Sequence, residues 1–335
     1  MTREDFIQNN TVLIQGPFNP TSFLRWESFL KYGKVLVSTW DIKPGTTVSL
    51  SGQDVFSNQI IKDEQAKGLR VVSRQIPDRE AEHLQGIDKS STFFWALNSI
   101  YNGLINIDTE YVIKVRSDEY YSNLTPLIER FIQNDNKIVC GNIFVRREIP
   151  YHFGDHLFVC KTKDLRKAIK GLLDSYNAKT DIKEWMKQKT GLYTNVAECI
   201  LCLAILHAKR KQPTIWDDAN IRQINPKDRK WIKYFLRHGS IVDINKLGKF
   251  TACWAHGFLR PNTDKGTSMQ YNNRFINHHG VYDDKSYRKA MNSLEEEIKL
   301  QEKILREIRG EISPEKATSW EAHAIYEMKN EDNIA

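Results

Sequence analysis

The chain of 335 residues is long enough for one large domain, or for one domain with a small appendage. Its 40% hydrophobic and 27% charged residues, with fifteen Phe, thirteen Tyr and eight Trp, exclude a disordered chain. The formal net charge of +7 and the pI of about 9.0 predict an anionic partner. Nucleic acid is a weak choice for that partner, because the sequence has no RNA-recognition motif, zinc finger or Lys/Arg-rich block.

The first half of the chain alternates strand-like and helix-like segments. The predicted strands are Thr11–Gln15, Lys34–Thr39, Leu69–Ser73 and Tyr111–Val115, and the predicted helices are Phe23–Tyr32, Phe56–Lys67 and Thr92–Ile105. A strand that alternates with a helix in this way predicts a parallel sheet covered by helices. The expected fold class is therefore α/β with a mostly parallel, Rossmann-like sheet.

The second half has a more mixed pattern. The predicted helices are Leu124–Gln133, Asp164–Tyr176 and Val196–Ala208, and the predicted strands are Lys137–Val145, His156–Lys161, Ile241–Asp243 and Phe250–Trp254. The segment Gly257–Gly280 is rich in turn-forming residues and is expected to be an ordered loop or a lid. We place the end of the main domain at residue 280.

Residues 281–335 form a separate C-terminal helical extension and tail. Apolar residues in Ser286–Arg309 recur at helical spacing among Glu, Lys and Arg, which predicts a surface helix or a short coiled-coil arm. Two roles are open for this helix: packing back onto the core, or self-association into a homodimer. The tail after Glu311 is polar, and we expect it to fray.

Two adjacent carboxylates follow a buried strand at the centre of the predicted sheet. The run Tyr111–Val115 leads to Asp118 and Glu119, and ligands of α/β sheets bind at the carboxyl ends of strands. Carboxylates there suit a hard divalent cation such as Mg²⁺ or Mn²⁺, although a plain acidic turn gives the same pattern. Arg116 has two open roles, as a contact to phosphate or base and as an ion-pair partner of Asp118.

The ends of the first two strands should lie beside this acidic turn. The candidate ligand-binding residues there are Gln15, Gly16, Pro17, Ser38, Trp40 and Asp41. Trp40 or Asp41 could hold a base or a ribose. The single glycine, Gly16, does not make a dinucleotide fingerprint.

Three further residues are candidates for chemistry, each with a structural alternative. Glu198 stands in the first turn of an apolar helix, where it could be a general base or a charge partner of the helix dipole. Asp155 follows a glycine and could accept hydrogen bonds from a sugar or serve as a turn residue. His256 follows a late strand and could bind metal or phosphate, or be a half-buried structural histidine.

The cysteines and the chain's hydropathy bear on location. The five cysteines, Cys140, Cys160, Cys199, Cys202 and Cys253, are odd in number and scattered, which favours a reducing compartment over a disulfide framework. The charged N-terminus lacks the apolar stretch of a signal peptide, and the longest apolar run is too short to span a bilayer. We therefore expect a cytoplasmic protein.

With these residues in view, the chain resembles a GT-A glycosyltransferase and, more narrowly, the WavE lipopolysaccharide synthesis family. The matching pieces are Leu13–Pro17, Val37–Trp40, Ser99–Leu104 with its Asn102-Gly103, and Glu110–Asp118. The resemblance covers residues 10 to 260, approximately. It implies a nucleotide-sugar half over about 10–135 and an acceptor half over about 136–280.

The resemblance also implies roles for individual residues. In GT-A enzymes an Asp-x-Asp-like motif ends the fourth strand and binds a divalent metal with the nucleotide diphosphate; here Ser117-Asp118-Glu119 takes that place and departs from the motif. Similarity to the Glu-Asp catalytic motif of family 2 glycosyltransferases implies Glu198 as the base, with Asp155 in reserve. His256 would complete the metal or phosphate site, together with Asp118 and Glu119.

The expected function is transfer of a sugar from a nucleotide-sugar, of the UDP class, to a hydroxyl of a surface glycan such as lipopolysaccharide or capsule, with inversion. Mn²⁺ or Mg²⁺ is the expected cofactor, and the basic surface would dock a lipid-linked acceptor at the inner face of the membrane. Two alternatives stay open: a nucleotidyltransferase that makes an activated sugar, and a non-catalytic scaffold that binds partners through the C-terminal helix.

Overall fold

The structure is a computed structural model that describes residues 1–50, 53–75, 88–134, 138–141, 154–177, 201, 204–205, 208, 239–248 and 250–252. Contacts divide the chain into two units, Met1–Tyr287 and Arg288–Ala335, and every element named below belongs to the first. The predicted loop Gly257–Gly280, the predicted helix Ser286–Arg309, and most of Val196–Ala208 lie outside the described residues.

Eleven strands and six α-helices occur in the described part of the chain. The strands are β1 Asn10–Gln15, β2 Lys34–Trp40, β3 Thr47–Leu50, β4 Gln53–Phe56, β5 Arg70–Arg74, β6 Tyr111–Arg116, β7 Glu119–Tyr121, β8 Ile138–Gly141, β9 Leu157–Lys161, β10 Gly239–Val242 and β11 Phe250–Ala252. The helices are α1 Arg3–Gln8, α2 Pro20–Phe23, α3 Ser57–Ala66, α4 Asp88–Ile105, α5 Thr125–Gln133 and α6 Thr162–Asn177, with 3₁₀ helices at Trp26–Tyr32 and Ile244–Leu247.

Seven strands form one mixed sheet in the order β10-β8-β9-β6-β1-β2-β5. Neighbouring strands are parallel except around β9, which runs antiparallel to both β6 and β8. This arrangement confirms the predicted α/β fold with a mostly parallel, Rossmann-like sheet. Because the chain continues from β1 to β2 and β5 on one side and places β6 on the other, the strand order reverses between β1 and β6.

The sheet is buried on both faces, which explains why its strands read as continuous apolar runs. All six residues of β1 are buried. Val12 and Ile14 pack into a core cluster with Phe6 of α1 and Phe131 of α5. On the other face, α4 lies so close to the sheet that a Cβ on Gly103 would meet Leu13. Helices therefore cover both sides of β1.

Several local features differ from the sequence prediction, among them helix α1 and strand β7, which were not predicted. The predicted helix Phe23–Tyr32 is the short α2 followed by a 3₁₀ helix, because the buried residues Trp26, Phe29 and Tyr32 recur every three residues, the period of a 3₁₀ helix. The antiparallel hairpin of β3 and β4, which forms its own two-stranded sheet, was not predicted.

Gly33 fixes the start of β2 against the start of β1. Its φ of +145° is unfavourable for residues with a side chain, and a Cβ there would press on the Asn10 carbonyl oxygen. The side-chain amide of Asn10 donates a 2.7 Å hydrogen bond to the Tyr32 carbonyl, which holds the two segments close together. A side chain at position 33 would therefore force the two strands apart.

We expect Gly33→Ala to lower the free energy of unfolding by about 1–3 kcal/mol more than Gly68→Ala. Gly68 is a matched control, since its φ of +104° carries the same kind of backbone strain while a Cβ added there would have no atom within 4 Å. Urea denaturation followed by tryptophan fluorescence measures both variants. An equal decrease in the free energy of unfolding of both variants would show that the close contact between Gly33 and Asn10 does not affect stability.

Candidate ligand-binding site

A pocket of about 590 Å³ lies at the carboxyl ends of β1, β2 and β6. This is the crevice where the strand order reverses, the usual ligand position in an open α/β sheet. Its volume is in the range of small-molecule and cofactor sites. Eight of the predicted site residues line it: Gln15, Gly16, Pro17, Trp40, Asp41, Arg116, Asp118 and Asp155.

The turn that follows β1 is fastened to the turn that follows β6. The Ser117 amide donates to the Gln15 carbonyl at 2.8 Å, and the Ser117 hydroxyl donates to the Pro17 carbonyl at 2.7 Å. A Cβ on Gly16, whose φ is +135°, would lie 2.5 Å from the Ser117 hydroxyl oxygen. Gly16 is therefore needed for the close approach of the two turns that form one edge of the pocket.

Arg116 and Asp118 form a two-point ion pair inside the pocket. The Arg116 Nε and Nη2 groups donate to the two Asp118 carboxylate oxygens, each at 2.9 Å. Burial would lower the pKa of Arg116, but the hydrogen bonds and negative charges of Asp118, Glu119 and Asp155 raise it above its ordinary value. Arg116 therefore carries its charge at any working pH. Of the two roles that the sequence left open for Arg116, the ion pair with Asp118 is present in the structure.

Glu119 lies behind the pocket and is fully buried. The Tyr121 hydroxyl donates to one of its carboxylate oxygens at 2.7 Å, and His156 Nδ1 contacts the other. Arg116 Nε is 3.6 Å from the oxygen that His156 contacts. Burial would raise the pKa of Glu119, but the charges and hydrogen bonds of His156, Arg116 and Tyr121 outweigh it and lower the pKa to about 2.

The described residues do not fit a metal centre as they stand. Both Asp118 oxygens accept hydrogen bonds from Arg116, and Glu119 does not line the pocket. In the described ranges, no group of three or more His, Cys, Asp or Glu side chains is placed to hold an ion. His256 lies outside the described residues, so the Mn²⁺ or Mg²⁺ site stays a prediction and no step below depends on it.

Lys114 is a pocket residue that the sequence reasoning missed. It lies in the middle of β6, is 1% exposed, and donates a hydrogen bond to the Asp155 carbonyl. Burial lowers the pKa of Lys114, an effect that the Asp155 charge partly opposes. The available signal was a charged residue within an otherwise apolar strand, since lysine is almost never fully buried unless it is paired.

Aromatic and apolar side chains form the remaining walls. Trp40 is buried at the end of β2, and Trp95 of α4 faces the same pocket. The Trp95 indole N–H is buried and has no hydrogen-bond partner among the described residues. Val48 of the β3–β4 hairpin lines the pocket as well. Trp95 was missed because it lies outside the apolar stripe of its helix, and helical spacing alone does not show what such a residue faces.

Besides Glu119, three predicted site residues are placed elsewhere or are not described. Ser38 is buried between β2 and α4, where its hydroxyl donates to the Ser99 carbonyl at 2.6 Å, and it does not line the pocket. Glu198 and His256 lie outside the described residues. Asp155 lines the pocket, with one carboxylate oxygen 3.7 Å from His156 Nε2. The chemical roles predicted for these residues stay predictions.

Comparisons with known proteins leave the function open. No protein family model matches the chain, and the comparison with curated proteins gives no match. Among solved structures, a protein described as a glucose-1-phosphate thymidylyltransferase from Bacillus anthracis, in complex with sucrose, is similar over 52% of this chain and 81% of its own length. The sequence identity is 9% and the TM-score 0.31, too low to bear on activity. In the described part of this chain, every helix is too short or too polar to cross a bilayer.

We expect Glu119→Gln to lower the free energy of unfolding at pH 7 by about 3 kcal/mol, because it leaves Arg116 and His156 beside a neutral group. The folded-state pKa of about 2 lies below the ordinary 4.5, so the charged carboxylate stabilises the fold above pH 4.5 and this stabilisation is lost as the pH falls toward 2. The gap between wild type and variant should therefore narrow by about 1 kcal/mol between pH 7 and pH 4.

Guanidinium denaturation at the two pH values measures this gap. Glu110→Gln is the matched control, because Glu110 is 55% exposed and lies 3.8 Å from Lys161 at the surface. Its effect should stay within about 0.5 kcal/mol at both pH values. A Glu119→Gln variant as stable as wild type would show that the charge of this carboxylate is not needed.

Proposed function

We propose that the pocket binds a nucleotide-sugar and that the chain is a glycosyltransferase of the GT-A type. The observation that carries the proposal is the pocket itself: it collects the ends of β1, β2 and β6 at the reversal of strand order, with cationic side chains and two indoles around it. A nucleotide-sugar has phosphates, a flat base and hydroxyl groups, which need an anion site, a stacking surface and hydrogen-bond acceptors.

The pocket offers a separate group for each part of such a ligand. The indoles of Trp40 and Trp95 suit the flat base or the apolar face of a sugar ring. The Asp41 carboxylate, which is exposed at the end of β2, suits a ribose or sugar hydroxyl. Lys114 and Arg116 suit the diphosphate, because charge-assisted hydrogen bonds to phosphate are the strong ones.

The proposed reaction is a single displacement. A carboxylate takes the proton of the acceptor hydroxyl, the hydroxyl oxygen attacks the anomeric carbon, and the bond from that carbon to the diphosphate oxygen breaks. The departing diphosphate keeps the electron pair, and positive side chains nearby stabilise its charge. Asp155 is the candidate base in the described pocket, while the resemblance to family 2 glycosyltransferases favours Glu198.

The finer parts of the proposal depend on the resemblance to the WavE family and on the basic composition. They are a UDP-sugar donor, a lipopolysaccharide or capsule acceptor, inversion at the anomeric carbon, a cytoplasmic location with peripheral membrane contact, and a homodimer through residues 286–309. Each is a proposal, and donor class is the first to test because it needs no acceptor.

The turn after β1 favours the transferase over the nucleotidyltransferase alternative. An enzyme that makes an activated sugar usually carries a glycine-rich, basic loop there to hold a triphosphate. In this chain the turn contributes Gly16, Pro17 and Phe18 to the pocket and no basic side chain. A non-catalytic scaffold, the third alternative, predicts no nucleotide binding at all.

Filling the pocket from its rim tests the location of the site. Thr46 lines the pocket and is exposed, whereas the adjacent Thr47 is exposed and does not line it. With a panel of UDP-, GDP-, CDP- and TDP-sugars, we expect one nucleotide class to raise the melting temperature of wild type and Thr47→Trp, and to have no effect on Thr46→Trp. Stabilisation of Thr46→Trp equal to that of wild type would place the ligand elsewhere.

The released product distinguishes the two enzymatic alternatives. A glycosyltransferase releases a nucleoside diphosphate from the nucleotide-sugar, whereas a nucleotidyltransferase releases pyrophosphate from a nucleoside triphosphate and a sugar 1-phosphate.

If Asp155 is the base, Asp155→Asn should lower kcat by about 100-fold or more with little change in KM. A loss confined to Glu198→Gln would assign the base to Glu198 instead.

A further inference from the structure

Lys114 occupies a position that the fold alone does not explain. Its register partners are Leu13 on β1 and Phe158 on β9, and its ammonium lies 5.9 Å from the centre of the Phe158 ring. Its partners on the neighbouring strands are thus apolar, while the carboxylates of Asp155, Glu119 and Asp118 are close enough to offset part of its charge. Burial still lowers the pKa of Lys114, so these charges do not make up the full cost of removing its ammonium from water.

The hydrogen-bond partners of Lys114 are incomplete in the described structure. An ammonium group has three N–H donors, and among the described residues one acceptor, the Asp155 carbonyl, is within hydrogen-bond distance. Buried charges in proteins are normally paired and hydrogen-bonded, since removal from water is costly. An anion that enters the pocket would supply the missing acceptors.

Arg116 presents a second cationic group to the same space. Its Nε and Nη2 groups bind Asp118, while Nη1 has no hydrogen-bond partner among the described residues. Each Asp118 oxygen keeps a lone pair beyond its hydrogen bond to Arg116, but a metal ion bound there would lie beside the Arg116 guanidinium, whose positive charge opposes a second cation. Lys114 and Arg116 therefore both present positive charge to the pocket.

We propose that Lys114, together with Arg116, binds the phosphate groups of the ligand directly, without a bridging divalent cation. The identification of those phosphates as the diphosphate of a nucleotide-sugar depends on the proposed function, whereas the anion site itself does not. In this arrangement the ammonium of Lys114 replaces the metal as the charge that stabilises the leaving diphosphate.

Titration calorimetry with inorganic pyrophosphate and with UDP, in buffer containing EDTA, tests the proposal on the full chain. We expect wild type to bind pyrophosphate in EDTA, and Lys114→Met to bind it at least tenfold more weakly. Without ligand, Lys114→Met should melt at a lower temperature than wild type but remain folded, because it leaves the Asp155 carbonyl without its donor and removes a positive charge beside Asp155, Glu119 and Asp118. A purely structural lysine would also lower the melting temperature, but would leave the pyrophosphate affinity of the folded variant within twofold of that of wild type.

Lys34→Met is the matched control for loss of one positive charge. Lys34 is half exposed at the start of β2, pairs with Asp108, and does not line the pocket. Its pyrophosphate affinity should stay within twofold of wild type. Lys114→Gln, which keeps a hydrogen-bond donor for the Asp155 carbonyl, serves as a second variant and should also lose at least tenfold.

Three outcomes overturn the inference, and a fourth overturns the proposed function alone. Pyrophosphate binding by wild type that requires Mn²⁺ or Mg²⁺ would assign the phosphates to a metal. Affinity within twofold of wild type in both Lys114 variants would remove the lysine from the site, and unfolding of both would make the lysine structural. If pyrophosphate binds as expected while no nucleotide or nucleotide-sugar does, the anion site stands and the proposed function falls.

Discussion

The buried carboxylate of Glu119 is the charge on which the candidate site depends. It is held between Arg116 and His156, and these two side chains reach Asp118 and Asp155 at the pocket. A carboxylate in this position is costly to desolvate and is tolerated because its oxygens are hydrogen-bonded. The pocket acids are thus positioned by a series of paired polar side chains whose central member, Glu119, is fully buried.

The sheet topology brings together Asp118 and Asp155, the two ends of this series of side chains. β9 runs antiparallel to β6, so its amino end lies at the same edge of the sheet as the carboxyl ends of the parallel strands. Residues that precede β9 in sequence, Asp155 and His156, therefore meet residues that follow β6. One reversed strand gives a mostly parallel sheet a second source of side chains for the same crevice.

Strand ends were predictable, because apolar runs and the turns after them define the ligand edge of an α/β sheet without any knowledge of packing. This reasoning found Gln15, Asp41 and Asp118. It could not tell which of Asp118 and Glu119 faces the pocket. Neighbouring side chains in an extended segment point to opposite sides. Of two adjacent acids, one can therefore face the pocket, as Asp118 does, while the other is buried, as Glu119 is.

Other features of the site depend on tertiary packing. Ser38 also lies near a strand end, but its side chain is hydrogen-bonded to Ser99 of α4 and does not face the pocket. Lys114 and Trp95 enter the pocket from the interior of a strand and the side of a helix, positions for which strand-end reasoning has no signal. The hairpin of β3 and β4 was missed because its alternation is short and half polar.

That hairpin has a consequence for how the protein could change its ligand. It is hydrogen-bonded only to itself among the described strands, stands between β2 and α3 in the chain, and still contributes a wall of the pocket. Substitutions there can widen, narrow or recharge the pocket while the hydrogen-bond ladder of the main sheet stays intact. Part of the ligand preference is thus encoded in a stretch outside the main sheet, so that selection can act on it with little penalty in folding stability.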